Sequence, residues 1–179
     1  VVSDFQSAAI RALVAGYRLI EIHAAHGYLM HQFLSPLSNQ RTDLYGGSFE
    51  NRIRLLREVV AAVKKVIPES CPLFVRISAT DWVEGGWSID EAVQLVSVLK
   101  TEGVDLIDCS SGGMVPYAKI PLAPGYQVAF SEKIRKETGM MTGAVGLITD
   151  SKQAEQILQN DQADLIIMGR ELLRQPYFA

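Results

Sequence analysis

Apolar residues recur along this chain in two alternating rhythms. Over residues 4–15, Phe5, Ala8, Ala9, Ala12 and Leu13 share one helical face, and Gly16 follows as a stop. Residues 18–24 read as a strand, with Ile20 and Ile22 facing one way and Glu21 and His23 the other. From about 27 to 48 the chain is rich in Ser, Pro, Asn, Asp and Gly and reads as a long loop. Such length in a compact domain suggests a functional or lid-like role. Ile53, Leu56, Val60, Val63 and Ile67 then recur at helical spacing as far as Pro68.

The alternation continues to the end. Leu73–Ser78 is strand-like, and Ser88-Ile89-Asp90-Glu91 is a capping box opening a helix with Ala92, Val93, Val96 and Leu99 inward. Leu106–Ser110 is strand-like and runs into Ser111-Gly112-Gly113. Residues 127–138 are expected to be helical, and Met140–Gly146 to be a short strand and turn. Asp150 can cap a helix to about 159 with Gln153 as its partner, and Leu165–Gly169 is the last strand. Gly16–Ile20, Gly103–Ile107 and Gln162–Ile166 echo one another as joints between a helix end and a strand start. Strands alternating with helices predict parallel βα units, five by this count. No linker or composition shift divides the chain, so residues 1–179 are expected to form one domain.

Alternation alone fits a doubly wound sheet or a barrel. The first strand is not followed by the Gly-x-Gly-x-x-Gly of a Rossmann sheet. The strand interiors favour a barrel. If Ile20, Ile22, Leu73, Val75 and Ile77 pack on outer helices, then Glu21, His23, Arg76, Asp108 and Ser110 point to a common interior. Buried charges need partners, and Glu21, Arg76 and Asp108 can pair with one another. A complete (β/α)8 barrel needs eight strands and about 250 residues. The expectation is therefore an α/β fold, a partial TIM barrel with two open edges that pairs with something.

The composition is that of an ordinary globular protein: 179 residues, 48% hydrophobic and 21% charged. A net charge of -3, with scattered Lys and Arg, argues against a nucleic-acid partner. No apolar stretch reaches the length of a membrane span, and no signal peptide is visible. Cys71 and Cys109 sit in or beside apolar runs and read as small buried hydrophobes. A soluble protein of the reducing cytoplasm is expected.

The candidate chemistry gathers after the first strand. His23-Ala-Ala-His26-Gly-Tyr28, with His31, holds every histidine of the chain within nine residues. Imidazole and phenol can donate hydrogen bonds to a substrate oxygen, and a phenol can give up a proton. Loop histidines without chemistry and a metal site through His31 stand as alternatives, but no Cys or carboxylate pattern completes a zinc set. Arg76 reads as half of an interior ion pair or as a cation aimed at a ligand. Trp82 and Trp87, near Gly85-Gly86, are expected to pack loops, and Arg41, Asp43 and Tyr45 to pin the long loop.

Several motifs together resemble the Old Yellow Enzyme family of flavin-dependent ene-reductases. They are Ile20–Leu29, Gln32-Phe33-Leu34-Ser35-Pro36, Asn39–Ser48, Glu50-Asn51-Arg52, Val75-Arg76-Ile77-Ser78, Val145-Gly146-Leu147-Ile148 and Gly169-Arg170-Glu171, in that order. The His-Ala-Ala-His form is similar to the bacterial, thermophilic-like branch. The resemblance implies a (β/α)8 barrel, of which this chain is strands 4–8, with FMN at its mouth and NADPH or NADH as reductant. It implies reduction of an activated C=C bond in an enone or nitroalkene. His23 and His26 then hold the carbonyl or nitro oxygen, and Tyr28 protonates the α-carbon. Arg76 matches a cation at the flavin edge, and Val145, Gly146, Gly169 and Arg170 match the cofactor phosphate site. The family's first three strands and its C-terminal segment have no counterpart in the chain. A non-enzymatic half-barrel that pairs with a second copy or another fragment is the rival expectation.

Overall fold

Period-two alternation decides the layering of the sheet. In the computed structural model, which describes residues 1–178, β1 (Ile20–Ala24), β2 (Leu73–Ser78), β3 (Leu106–Ser110), β4 (Met141–Ala144) and β5 (Leu165–Ile166) form one parallel sheet in the order β1-β2-β3-β4-β5. Ile22, Ala24, Leu73, Val75, Ile77, Ile107 and Cys109 are all but fully buried and pack in one core with residues of the helices. Those helices are α1 (Val2–Val14), α3 (Phe49–Lys64) and α4 (Ile89–Thr101), which bring Ala9, Val59, Val60, Val63, Leu95, Val96 and Leu99. Each Val, Leu and Ile among them contributes about 1.5–3 kcal/mol on burial. The opposite face carries the polar set in register, His23 beside Arg76, Arg76 beside Asp108 and Asp108 beside Gly143.

The helices begin where the capping signals stand. Ser88 and Glu91 form the reciprocal box at α4, and Ser48 accepts the Asn51 amide at α3. At α6 (Ser151–Gln159) Asp150 instead accepts the amide of Lys152, one residue short of Gln153. α5 (Val128–Thr138) ends on Gly139 in the left-handed conformation.

Two elements differ from the sequence reading. The stretch expected to be loop contains α2 (Leu29–Leu34), six residues that bury Met30, His31 and Leu34. It is too short and too polar-flanked for its spacing to stand out. After β5, which is only two residues long, α7 (Arg170–Arg174) begins at Gly169. Among the described residues, β1 and β5 each have a single strand neighbour, and no helix is long and apolar enough to cross a membrane.

Candidate active site

β1 ends at Ala24, and the chain then makes a left-handed turn at His26 (φ 59°) and Gly27 (φ 75°). A non-glycine residue in that conformation needs surrounding contacts to hold it. Here the His26 amide donates to Ser78 Oγ (3.0 Å), the Gly27 amide to His31 Nδ1 (3.0 Å), and Gln32 Nε2 to the Gly27 carbonyl (2.6 Å). Gly27 is required on space as well as on φ, because a Cβ there would lie 2.4 Å from the Gly113 carbonyl oxygen. The loops after β1 and β3 therefore meet backbone to backbone.

This turn gathers the predicted trio. The His23 ring centre lies 5.3 Å from that of His26 and 5.3 Å from that of Tyr28. Tyr28 is exposed, and His26 Nε2 meets Ser110 Oγ at 2.6 Å. His31 lies apart from the trio. It is fully buried, with Nε2 2.9 Å from Asp81 Oδ1.

A second group converges beside the first. Arg76, Val145, Gly146, Gly169 and Arg170 line one cavity of ≈ 410 Å³, together with Ser110 and Gln127. Gly146 holds φ 127°, where a Cβ would meet Gln127 Nε2 at 2.8 Å. At Gly169 no atom lies within 4 Å of where a Cβ would stand. Arg76 Nε approaches Asp108 Oδ2 at 3.3 Å, close enough for an ion pair but not aligned as a hydrogen bond. Of the two interior pairings open to Arg76, this is the direct one. Its N–H and Asp108 Oδ1 are left without hydrogen-bond partners. A cavity lined by Gly146, Gly169 and three guanidinium groups, Arg76, Arg170 and Arg174, fits a ligand that carries an anionic group.

Ser110 joins the two groups, since it lines the cavity and touches His26. Beside it runs a chain of hydrogen bonds: Trp82 Nε1 donates to Ser111 Oγ (2.9 Å), Ser111 Oγ to Gln127 Oε1 (2.5 Å), and Gln127 Nε2 to the Val145 carbonyl (2.9 Å). Sequence reasoning missed Gln127, Ser111 and Ser78, because no local pattern distinguishes them. Trp82 packs edge-on to Phe130, and Trp87 is buried in a stack with Phe49. In the long loop, Arg41 pairs with Asp43, and the Tyr45 hydroxyl donates to Glu58.

The electrostatics follow from burial around one cation. Burial, then Arg76, then the neighbouring histidines push His26 down to about 4. Burial, Arg76 and His31 also lower His23. Both imidazoles are held neutral near pH 7, with one N–H each to donate. Burial raises Asp108 to about 7 and Glu21 above the usual carboxylate range, in each case against the pull of Arg76.

The family model for NADH:flavin oxidoreductase / NADH oxidase matches residues 1–179. The chain is 59% identical over 178 residues to an NADPH dehydrogenase of Bacillus subtilis (strain 168), covering 99% of this chain and 52% of that protein. The solved structure of the Old Yellow Enzyme homologue from Zymomonas mobilis is similar at TM-score 0.80 and 28% identity, over 98% of this chain and 49% of that one. A 2-naphthoyl-CoA reductase in complex with 2-naphthoyl-CoA is similar at TM-score 0.91 and 27% identity, over 98% of this chain and 27% of that one. The chain spans about half the length of the curated relatives it matches. Its five parallel strands match part of the TIM barrel of these oxidoreductases.

Proposed function

The chain belongs to the NADH:flavin oxidoreductase / NADH oxidase family, and from that premise we propose that residues 1–179 form one partial-barrel unit holding the substrate and phosphate side of an FMN-dependent ene-reductase. NADPH or NADH is the reductant, and α,β-unsaturated carbonyl or nitro compounds are the substrates. The observation that carries this reading is the convergence of Arg76, Val145, Gly146, Gly169 and Arg170 on one cavity, joined through Ser110 to His26.

Bound FMN supplies the hydride carrier between nicotinamide and alkene. Val145, Gly146 and Gly169 would hold its phosphate through their backbone, with Arg170 as the cation, and Arg76 would face its ring system. Hydride addition at the β-carbon moves the C=C electron pair toward the carbonyl or nitro oxygen. His23 and His26 each donate an N–H to that oxygen as it becomes anionic. Because the half-buried His26 ring is neutral, it takes no buried charge into the site. Ser110 Oγ reaches both His26 Nε2 (2.6 Å) and Gln127 Oε1 (3.5 Å), and its hydroxyl donates along the shorter contact, to His26. That leaves the Nδ1–H of His26 to face the substrate. Tyr28, exposed beside His23, delivers the proton to the α-carbon from its phenol, and water restores it.

The test is direct. Protein titrated with FMN should acquire the visible flavin band, and NADPH oxidation should accelerate when an enone is added. A protein that takes up FMN but oxidises NADPH no faster with enone than without is not an ene-reductase.

A second reading concerns assembly, and β1 favours it. Beside this edge an apolar groove of ≈ 280 Å³ is lined by Phe5, Ala8, Ala12, Leu19 and Ile22. A second copy or the complementary barrel portion seated there would cover it, and the mass in solution distinguishes these from a free monomer. Both cysteines are free and buried, which suits the reducing cytoplasm.

A further inference from the structure

His31 is the histidine that the proposed chemistry does not use, and it is the most buried of the three. Its Nδ1 accepts the Gly27 amide at 3.0 Å, so that nitrogen carries a lone pair. The ring proton is then on Nε2, which faces Asp81 Oδ1 at 2.9 Å, a close contact bent from the ideal hydrogen-bond line. Asp81 is fully buried, and its other oxygen accepts the Ser35 hydroxyl (2.6 Å) and the Trp87 amide (2.8 Å). Burial pushes this carboxyl up, but His31, Ser35 and the Trp87 amide outweigh burial and hold it below the ordinary range. No space is left around it, since a Cβ on Gly86 would lie 2.8 Å from both Cβ and Oδ2 of Asp81.

The single amide that His31 holds is that of Gly27, between His26 and Tyr28. Resting on the ene-reductase reading, we propose that the His31–Asp81 pair is a positioning device: it fixes the lone pair of Nδ1 on Gly27 N–H and so aims His26 and Tyr28 at the substrate. A carboxylate behind an imidazole sets its tautomer and orientation. The left-handed turn at His26 and Gly27 has no ladder partner to stabilise it, so its direction depends on the groups that hold its amides. Ser78 holds one of these amides and His31 the next. Through Asp81 the same device ties the turn to Ser35 and to the loop ending at Trp87, so three segments around the mouth share one anchor.

Two substitutions separate aiming from simple stability. In His31→Asn the side-chain oxygen stands near the place of Nδ1 and can still accept from Gly27. In His31→Gln the amide nitrogen stands near Nε2 and serves Asp81, leaving Gly27 without an acceptor. Both lose packing, and both lower the thermal midpoint. With FMN-loaded protein and 4-nitrophenol as a stand-in for the enolate oxygen, His31→Gln should weaken binding about tenfold, the worth of one positioned hydrogen bond. His31→Asn should stay within about threefold of the unsubstituted protein, because the amide it must hold keeps an acceptor. FMN affinity should be unchanged in both.

Equal losses in the two variants, or none in either, would overturn the positioning role. If both fail to fold, the tautomer decides: 15N spectra of histidine-labelled protein should show His31 protonated at Nε2 alone, and the opposite tautomer refutes the device. If the unsubstituted protein binds FMN but not 4-nitrophenol, the ene-reductase reading fails instead, and the tautomer still tests the anchor.

Discussion

Gly169→Ala separates a phosphate cradle from an ordinary turn. Gly169 lies between β5 and α7 on the cavity wall, with φ -116°. A Cβ there meets no protein atom within 4 Å. The substitution therefore creates no clash in the flavin-free protein. Its stability should hold to within about 1 kcal/mol. The outcome changes if a phosphate occupies that space. A phosphate oxygen held by a backbone N–H sits about 2.7–2.9 Å from the nitrogen, and an added methyl group would stand in its way. The phosphate must then give up about one charge-assisted hydrogen bond, about 1.5–3 kcal/mol, or roughly 10- to 150-fold in FMN affinity. The assay is quenching of flavin fluorescence, run with FMN and with riboflavin, which has the same ring and no phosphate. Affinity for FMN should fall while that for riboflavin stays constant. An equal fall for both, or no fall for FMN, would refute the placement of the phosphate. Gly146→Ala is the contrasting case, since φ 127° and the 2.8 Å approach to Gln127 Nε2 should lower stability and binding together.

Tyr28→Phe should leave the thermal midpoint unchanged, because the residue is exposed, while slowing turnover by about 10²–10⁴-fold through loss of the general acid; an unchanged rate at saturating enone would exclude Tyr28 as the proton donor. Ser110→Ala removes the hydroxyl 2.6 Å from His26 Nε2. It should weaken 4-nitrophenol binding by about tenfold, with His26 losing its preference for the Nδ1–H tautomer in 15N spectra. Asp108 gives a pH signature. Its carboxyl is raised from 3.8 to about 7, so the folded state keeps a proton that the unfolded chain releases. Its contribution to stability therefore falls as pH rises from about 4 through 7, at no more than about 1.4 kcal/mol per pH unit. Because His26 opposes it, Asp108→Asn should make stability in urea melts rise more steeply with pH between about 4 and 6.5 than in the unsubstituted protein, whereas an unaltered profile would mean that Asp108 does not carry the effect. His26, lowered from 6.5 to about 4, acts with the opposite sense. Its unfolded form binds the extra proton, so stability falls as pH drops through that window in both proteins.

The parallel order and the two faces of the sheet were legible because period-two alternation encodes them residue by residue. Ile20, Ile22, Leu73, Val75 and Ile77 read as one side, Glu21, His23, Arg76 and Asp108 as the other, and the register bears this out. Groups that meet across long separations were not legible. His31 and Asp81 come together from helix α2 and from the loop after β2, and neither sequence neighbourhood announces the other. The sequence therefore left His31 open as a loop histidine or a third metal ligand, while the fold commits its two ring nitrogens to Gly27 and Asp81. Gln127 was hidden for the same reason, since its worth lies in reaching Ser111 and the Val145 carbonyl together. The division has a physical basis. Among the side chains proposed to touch ligand, His23 and Arg76 stand on strands, where the period-two pattern places them, whereas His26, Tyr28 and Arg170 lie in the turns and helix starts beyond and were legible only through the family motifs. Those that hold the backbone beneath them must satisfy particular N–H and C=O groups, and only the closed fold says which of those groups lack a partner.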